Sequence, residues 1–117
     1  MISAEDFLNF AFNMPRNSET DDRVCIGRAY YAAMHKALAY AVKDGFKYDP
    51  KDASGTHSNL IFYFERTREE NGIKIADMLK KLKYSRERAD YRLGESVFSH
   101  HAGKSLEQAK TVFSLIP

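Results

Sequence analysis

The sequence predicts an all-α fold, and three observations carry that expectation. No stretch alternates apolar and polar residues with the period of two that a half-buried strand requires. Successive segments instead place apolar residues three and four positions apart, the spacing of one helix face. Only three prolines and six glycines interrupt 117 residues, so the connections are short and neighbouring helices run antiparallel.

The first helix is expected over about residues 4 to 14. Ser3 followed by Asp6 has the spacing of a capping box, and Phe7, Leu8, Phe10, Ala11, Phe12 and Met14 give an apolar stripe that Pro15 ends. Residues 15 to 20 form a polar connection in which Ser18 or Thr20 can cap the next helix, with Asp21 and Asp22 favourable in its first turn. That second helix spans about 21 to 43 and closes at Asp44-Gly45. Polar residues are so sparse between Ala29 and Val42 that it must be covered on most sides, as the central member of a bundle is. The run FKYDPKDASG, 46 to 55, reads as a loop.

A third helix starts near Thr56 or Ser58, carries Leu60 to Phe64, turns charged and is stopped by Asn71-Gly72. The fourth, about 73 to 93, places Ile75, Met78, Leu79, Leu82 and Ala89 at helical spacing and ends at Gly94. A fifth lies between Ser99 and Ile116, with Leu106, Ala109, Val112, Phe113 and Ile116 on one face.

Length and composition fit one domain, residues 1–117, with an apolar fraction of 44% and a charged fraction of 29%. Glu5 and Asp6 stand where a signal peptide would be basic, and no apolar run is long enough to span a bilayer, so a cytoplasmic protein without membrane contact is expected. The single cysteine, Cys25, has no partner for a disulfide and reads as a packing residue. A net charge of +2 does not announce a nucleic-acid protein. Between Ile73 and Leu93, however, seven basic residues face three acidic ones, which concentrates positive charge on the fourth helix.

The run GRAYYAAMHKALAYA, 27 to 41, sets an arginine and a histidine into an otherwise apolar and aromatic helix. Arg28 and His35 are seven residues apart, so they share one face about 10.5 Å apart along the axis. They can address a phosphate and a neighbouring sugar hydroxyl, the arginine holding the anion and the histidine moving a proton. The packing alternative pairs Arg28 with an acid such as Asp90 and hydrogen-bonds His35 to a neighbouring helix. Asp90 is also placed to pair with Arg86 four residues before it, and Glu87 with Tyr91. Lys80, Lys81 and Lys83 offer a basic surface for RNA phosphates or simply a solvated face. Tyr30, Tyr31 and Tyr40 read as core. His100 and His101 are adjacent and point about 100° apart, so no metal site and no cofactor are expected.

Three segments together resemble a bacterial branch of the HEPN superfamily. GRAYYAAMHKALAYA is similar to its S-R-A-Y-Y-A-x-F-H-A helix, THSNLIFYF (56 to 64) to its H-S-x-L-x-x-x-F helix, and RERADYRL (86 to 93) to its R-x-x-A-D-Y segment, in the same order. The resemblance implies an up-and-down bundle of four main helices plus a short fifth. It further implies a homodimer whose two chains share a polar cleft, and in many members RNA cleavage through an R-x4-6-H motif in a toxin–antitoxin or phage-defence setting, with a cognate antitoxin or nucleotidyltransferase as partner. In the ribonuclease members the motif lies on the fourth helix, where this chain has Arg86 and, at the histidine register, Tyr91; the literal R-x6-H string is Arg28 to His35 on the second.

The expectation is therefore an RNA-binding protein, with metal-independent endoribonuclease activity as its enzymatic form. Arg28, Arg86 and Arg88 contact phosphate, His35 acts as acid or base, Tyr91 donates, and Asp90 orients. His57 stands at the mouth of the third helix, towards the shared cleft. A silent dimerisation or interaction module, and a nucleotide or small-ligand binder, are the alternatives.

Overall fold

A computed structural model describes residues 1–48, 51 and 55–117. The described residues form five α-helices and no strand: α1 Ala4–Asn13, α2 Glu19–Lys43, α3 Thr56–Arg66, α4 Glu70–Tyr91 and α5 Ser99–Leu115. Part of the loop expected over 46 to 55 lies outside the described residues.

Local chemistry sets most of the boundaries. Ser3 and Asp6 form the expected capping box on α1. Met14, before Pro15, is extended at ψ 144°, because the proline ring disfavours the helical region for the residue preceding it. Ser18 rather than Thr20 caps α2, its Oγ accepting the Asp21 N–H at 3.2 Å, so the helix starts at Glu19. The α3–α4 boundary departs from the sequence reading. α3 ends at Arg66, and Arg68, not a glycine, takes the left-handed conformation at φ 57°. Asn71-Gly72 sits inside the first turn of α4. Gly72 is there for a close approach: a Cβ would stand 2.2 Å from Thr67 Oγ1 and 2.9 Å from the Phe64 carbonyl oxygen. α4 ends at Tyr91, two residues earlier than expected, with Arg92 as its C-cap.

α2 is the centre. α1, α4 and α5 pack on it, and α3 reaches it mainly through α4. Ala29, Ala32, Ala33, Ala37 and Ala41 along α2 are all fully buried; side chains this small let neighbouring helices approach closely. α2 adds Ile26 and Tyr30 to the larger core groups, and the outer helices add Leu60, Phe64, Leu79, Leu82 and Val112, all almost wholly enclosed. Cys25 has 0% exposure and its Sγ lies 3.4 Å from the Ala11 carbonyl of α1. Burial pushes its thiol pKa up. Arg23 of α2, whose side chain is 11% exposed, donates through Nη1 to the Ala89 carbonyl at 2.9 Å and the Arg88 carbonyl at 3.3 Å. These are carbonyls of the last turn of α4: that of Arg88 already accepts the Arg92 N–H at 3.1 Å, and Arg23 supplies a donor for the Ala89 carbonyl beyond it. Tyr63 of α3 donates to the Asp44 carboxylate at the end of α2, and burial first, then that carboxylate, pushes its hydroxyl up to about 12.

Candidate functional site

Arg28, Tyr31 and His35 follow one another along a single face of α2, and the sides of α3 and α4 meet that face around the Tyr31 ring. The Arg28 guanidinium carbon lies 5.4 Å from the ring centroid and that of Arg86 5.5 Å. The His35 and His57 rings are 6.4 and 6.3 Å away. Tyr31, like Tyr40, is partly buried and packs against the edge of the core, so its ring joins the core to this cluster. Tyr30 is wholly inside, 0% exposed, and Tyr40 stacks on Phe64 at 6.3 Å.

Arg86 is the anchored cation of the cluster. Its Nη2 donates to the Tyr31 hydroxyl at 3.0 Å and the Tyr91 hydroxyl at 3.3 Å. Its Nε lies 2.9 Å from Asp90 Oδ2, an ion pair whose direction leaves the buried Nε–H without a hydrogen bond. Asp90 thus pairs along its own helix, and the Arg28–Asp90 bridge considered from sequence does not form. Nor does Glu87 hold Tyr91, whose hydroxyl takes Arg86 instead.

Arg28 is the unanchored cation. Among the described residues it forms no ion pair and no hydrogen bond, its Nε is buried without a partner, and its one defined contact is the Tyr31 ring. A guanidinium held partly out of water with no carboxylate keeps its full demand for an anion. His35 is exposed, stacked on Phe7 of α1 at 5.3 Å and 14° between planes, with both ring nitrogens free of hydrogen bonds among the described residues. The hydrogen-bonded packing histidine of the alternative reading is absent.

His57 has a different environment. Its Nδ1 is 2.5 Å from the hydroxyl of buried Tyr30. Burial lowers the His57 pKa, and the positive groups Lys83, Arg86 and His35 lower it further. Burial likewise pushes the Tyr30 hydroxyl far up, so this pair is a neutral imidazole against a neutral phenol. It supports the ring of Tyr31 and does not by itself supply a proton-transfer group.

The remaining candidates scatter. Arg86 and Arg88 are two residues apart and so point about 200° away from each other; Arg88 turns towards α5, donating to the Ser96 carbonyl at 2.6 Å. Lys80 is paired with Glu65 at 3.1 Å and Lys81 with Asp77 at 3.0 Å. Only Lys83, bonded to Ser58 Oγ at 3.0 Å, stands beside the cluster. The three lysines therefore do not make one basic surface. Tyr31 is the group that sequence reasoning undervalued; the signal available was its position, three residues after Arg28 and four before His35.

Among the described residues no three His, Cys, Asp or Glu side chains gather in a way that could hold a metal ion, and no helix is long and apolar enough to cross a membrane. A scan against protein-family models, a search of curated proteins and a search of solved structures each return no match for this chain.

Proposed function

We propose that the Arg28–Tyr31–His35 face binds an RNA phosphodiester and, in its enzymatic form, cleaves it. The single observation that carries this reading is the Arg28 guanidinium, half-buried over the Tyr31 ring and without an acid. Arg28 takes the phosphate, and Arg86, fixed by two phenols and Asp90, supplies a second positive charge beside it. The exposed imidazole of His35 is free to take a proton from a ribose 2′-hydroxyl or to give one to the leaving oxygen. Tyr31 and exposed Tyr91 offer ring faces and hydroxyls to a base or sugar.

At this face one chain contributes a single unencumbered imidazole, because His57 is committed to Tyr30. In-line cleavage needs an acid as well as a base. A homodimer that brings a second His35 to the same cleft supplies it, in agreement with the HEPN-like reading of the three segments. The same reading gives the protein an antitoxin or nucleotidyltransferase as partner, and the acidic amino terminus and lone cysteine fit a cytoplasmic setting.

Arg28→Ala and His35→Ala test the proposal. In RNA-binding assays Arg28→Ala weakens affinity about tenfold or more, the loss of one charge-assisted contact, and His35→Ala abolishes cleavage while binding persists. Both variants keep the parent melting temperature. Undiminished RNA binding by Arg28→Ala overturns the reading. A lowered melting temperature in both variants, with no RNA bound by the parent protein, assigns the face to packing within an interaction module.

A further inference from the structure

On the other side of α4 a cavity of about 260 Å3 opens between α4 and α5, floored by Ile26 of α2. Its lining includes Lys81, Arg88, His101 and Lys104 and no acidic residue. Lys81 is balanced by Asp77 outside the lining, whereas Lys104 has no ion pair or hydrogen bond among the described residues. The field inside is positive.

The hydrogen-bond pattern at its wall is incomplete in a specific way. His101 Nδ1 lies 2.8 Å from the Phe98 backbone nitrogen. That nitrogen can only donate, so Nδ1 accepts and the neutral ring carries its one proton on Nε2. Burial first, then His100, Arg88 and Lys104, hold the His101 pKa below its ordinary value, in keeping with the neutral ring. Nε2 in turn lies 3.4 Å from Arg88 Nη1. Two N–H donors therefore face each other with no acceptor between them. Close by, Arg88 Nε and Gln108 Oε1 are both buried without partners, and a half-turn of the Gln108 amide would offer N–H groups in place of the oxygen. An anion that accepts from Arg88 and His101 at once resolves the donor–donor contact, and with the Gln108 amide turned its N–H groups add a further donor.

We infer that the α4–α5 cavity binds a compact phosphate-bearing anion of about diphosphate size, held by Arg88, His101 Nε2–H and Lys104. The cavity falls just short of the ~300 Å3 at which pockets for drug-sized ligands begin, which fits a small polyanion and leaves no room for a polynucleotide strand. This site is separate from the Arg28 face and independent of the function proposed for it.

The test is a titration of the full chain with inorganic pyrophosphate at constant ionic strength, followed by calorimetry and by backbone amide shifts. Saturable binding is expected, with the shifts confined to the cavity lining, around residue 26, residues 81–88 and residues 97–108. Lys104→Ala, at an exposed position, weakens binding about tenfold, and Gln108→Glu, which puts a carboxylate among the cations, abolishes it. Arg28→Ala leaves the affinity unchanged. The inference is overturned if pyrophosphate fails to bind at millimolar concentration or if the shifts map to Arg28 and Tyr31. Parent-like affinity in well-folded Lys104→Ala and Gln108→Glu, or binding of an RNA oligonucleotide here in place of pyrophosphate, overturns it as well.

Discussion

His57 shows how a single residue reports on its surroundings. Its pKa is lowered in the folded protein, by burial first, from an unfolded value of about 6.5. Above that value both states hold a neutral ring and the full stability is present. As pH falls through about 6.5 the unfolded chain takes up a proton that the folded chain refuses, and stability declines until the folded pKa is reached. Urea midpoints are expected to drop between pH 7 and pH 5, and His57→Gln is expected to flatten that slope. His101 is shifted in the same direction and leaves a residual slope in that variant. Arg28 and His35 were legible from sequence as polar groups sharing one face of an apolar helix, and both do lie clear of the core. Tyr30 and Tyr31 were not separable, because adjacent aromatic residues look alike in a string although about 100° of rotation puts one wholly inside and the other at the edge of the core. The Arg88–His101 contact joins residues whose meeting depends on how α5 docks, which no local spacing encodes.

Helices were legible from their apolar spacing and caps to within a few residues, and the α3–α4 boundary moved for a tertiary reason. Asn71-Gly72 carries the composition of a helix stop, yet Gly72 serves the contact of α4 with the end of α3. Gly72→Ala is therefore expected to destabilise the protein by about 1–3 kcal/mol, since the Phe64 carbonyl is backbone and cannot swing aside; chemical denaturation measures this. Replacing glycine inside an ordinary helix has the opposite sign. Arg23 is a second case in which tertiary structure decides. As a sequence symbol it is a charge in the first turns of α2, where the helix dipole disfavours it. In the fold it donates to last-turn carbonyls of α4. Arg23→Ala is expected to lower stability by about 1.5–3 kcal/mol and to speed amide exchange in the last turn of α4.

For the molecule as a whole, the all-helical architecture and the central place of α2 followed from periodicity and from the scarcity of polar residues between Ala29 and Val42. The use proposed for its surface rests on the Arg28 face together with the resemblance. Tyr91 and Leu93, at and just past the end of α4, are 68% and 74% exposed, Tyr91 touches the cluster through Arg86, and in the proposed dimer the second copy covers these two groups. Sedimentation is expected to show a dimer that Leu93→Asp converts to monomer, with RNA cleavage lost in parallel; a parent protein that stays monomeric at high concentration removes the shared cleft. The lone thiol offers a further consequence. Cys25 of α2 is sealed under α1 with no exposure in the closed molecule, so an alkylating reagent reaches it when the fold opens, as when the amino-terminal helix swings away. The rate of labelling thus clocks that opening, and because the chain holds one cysteine, each labelled molecule records a single opening event without any engineered probe.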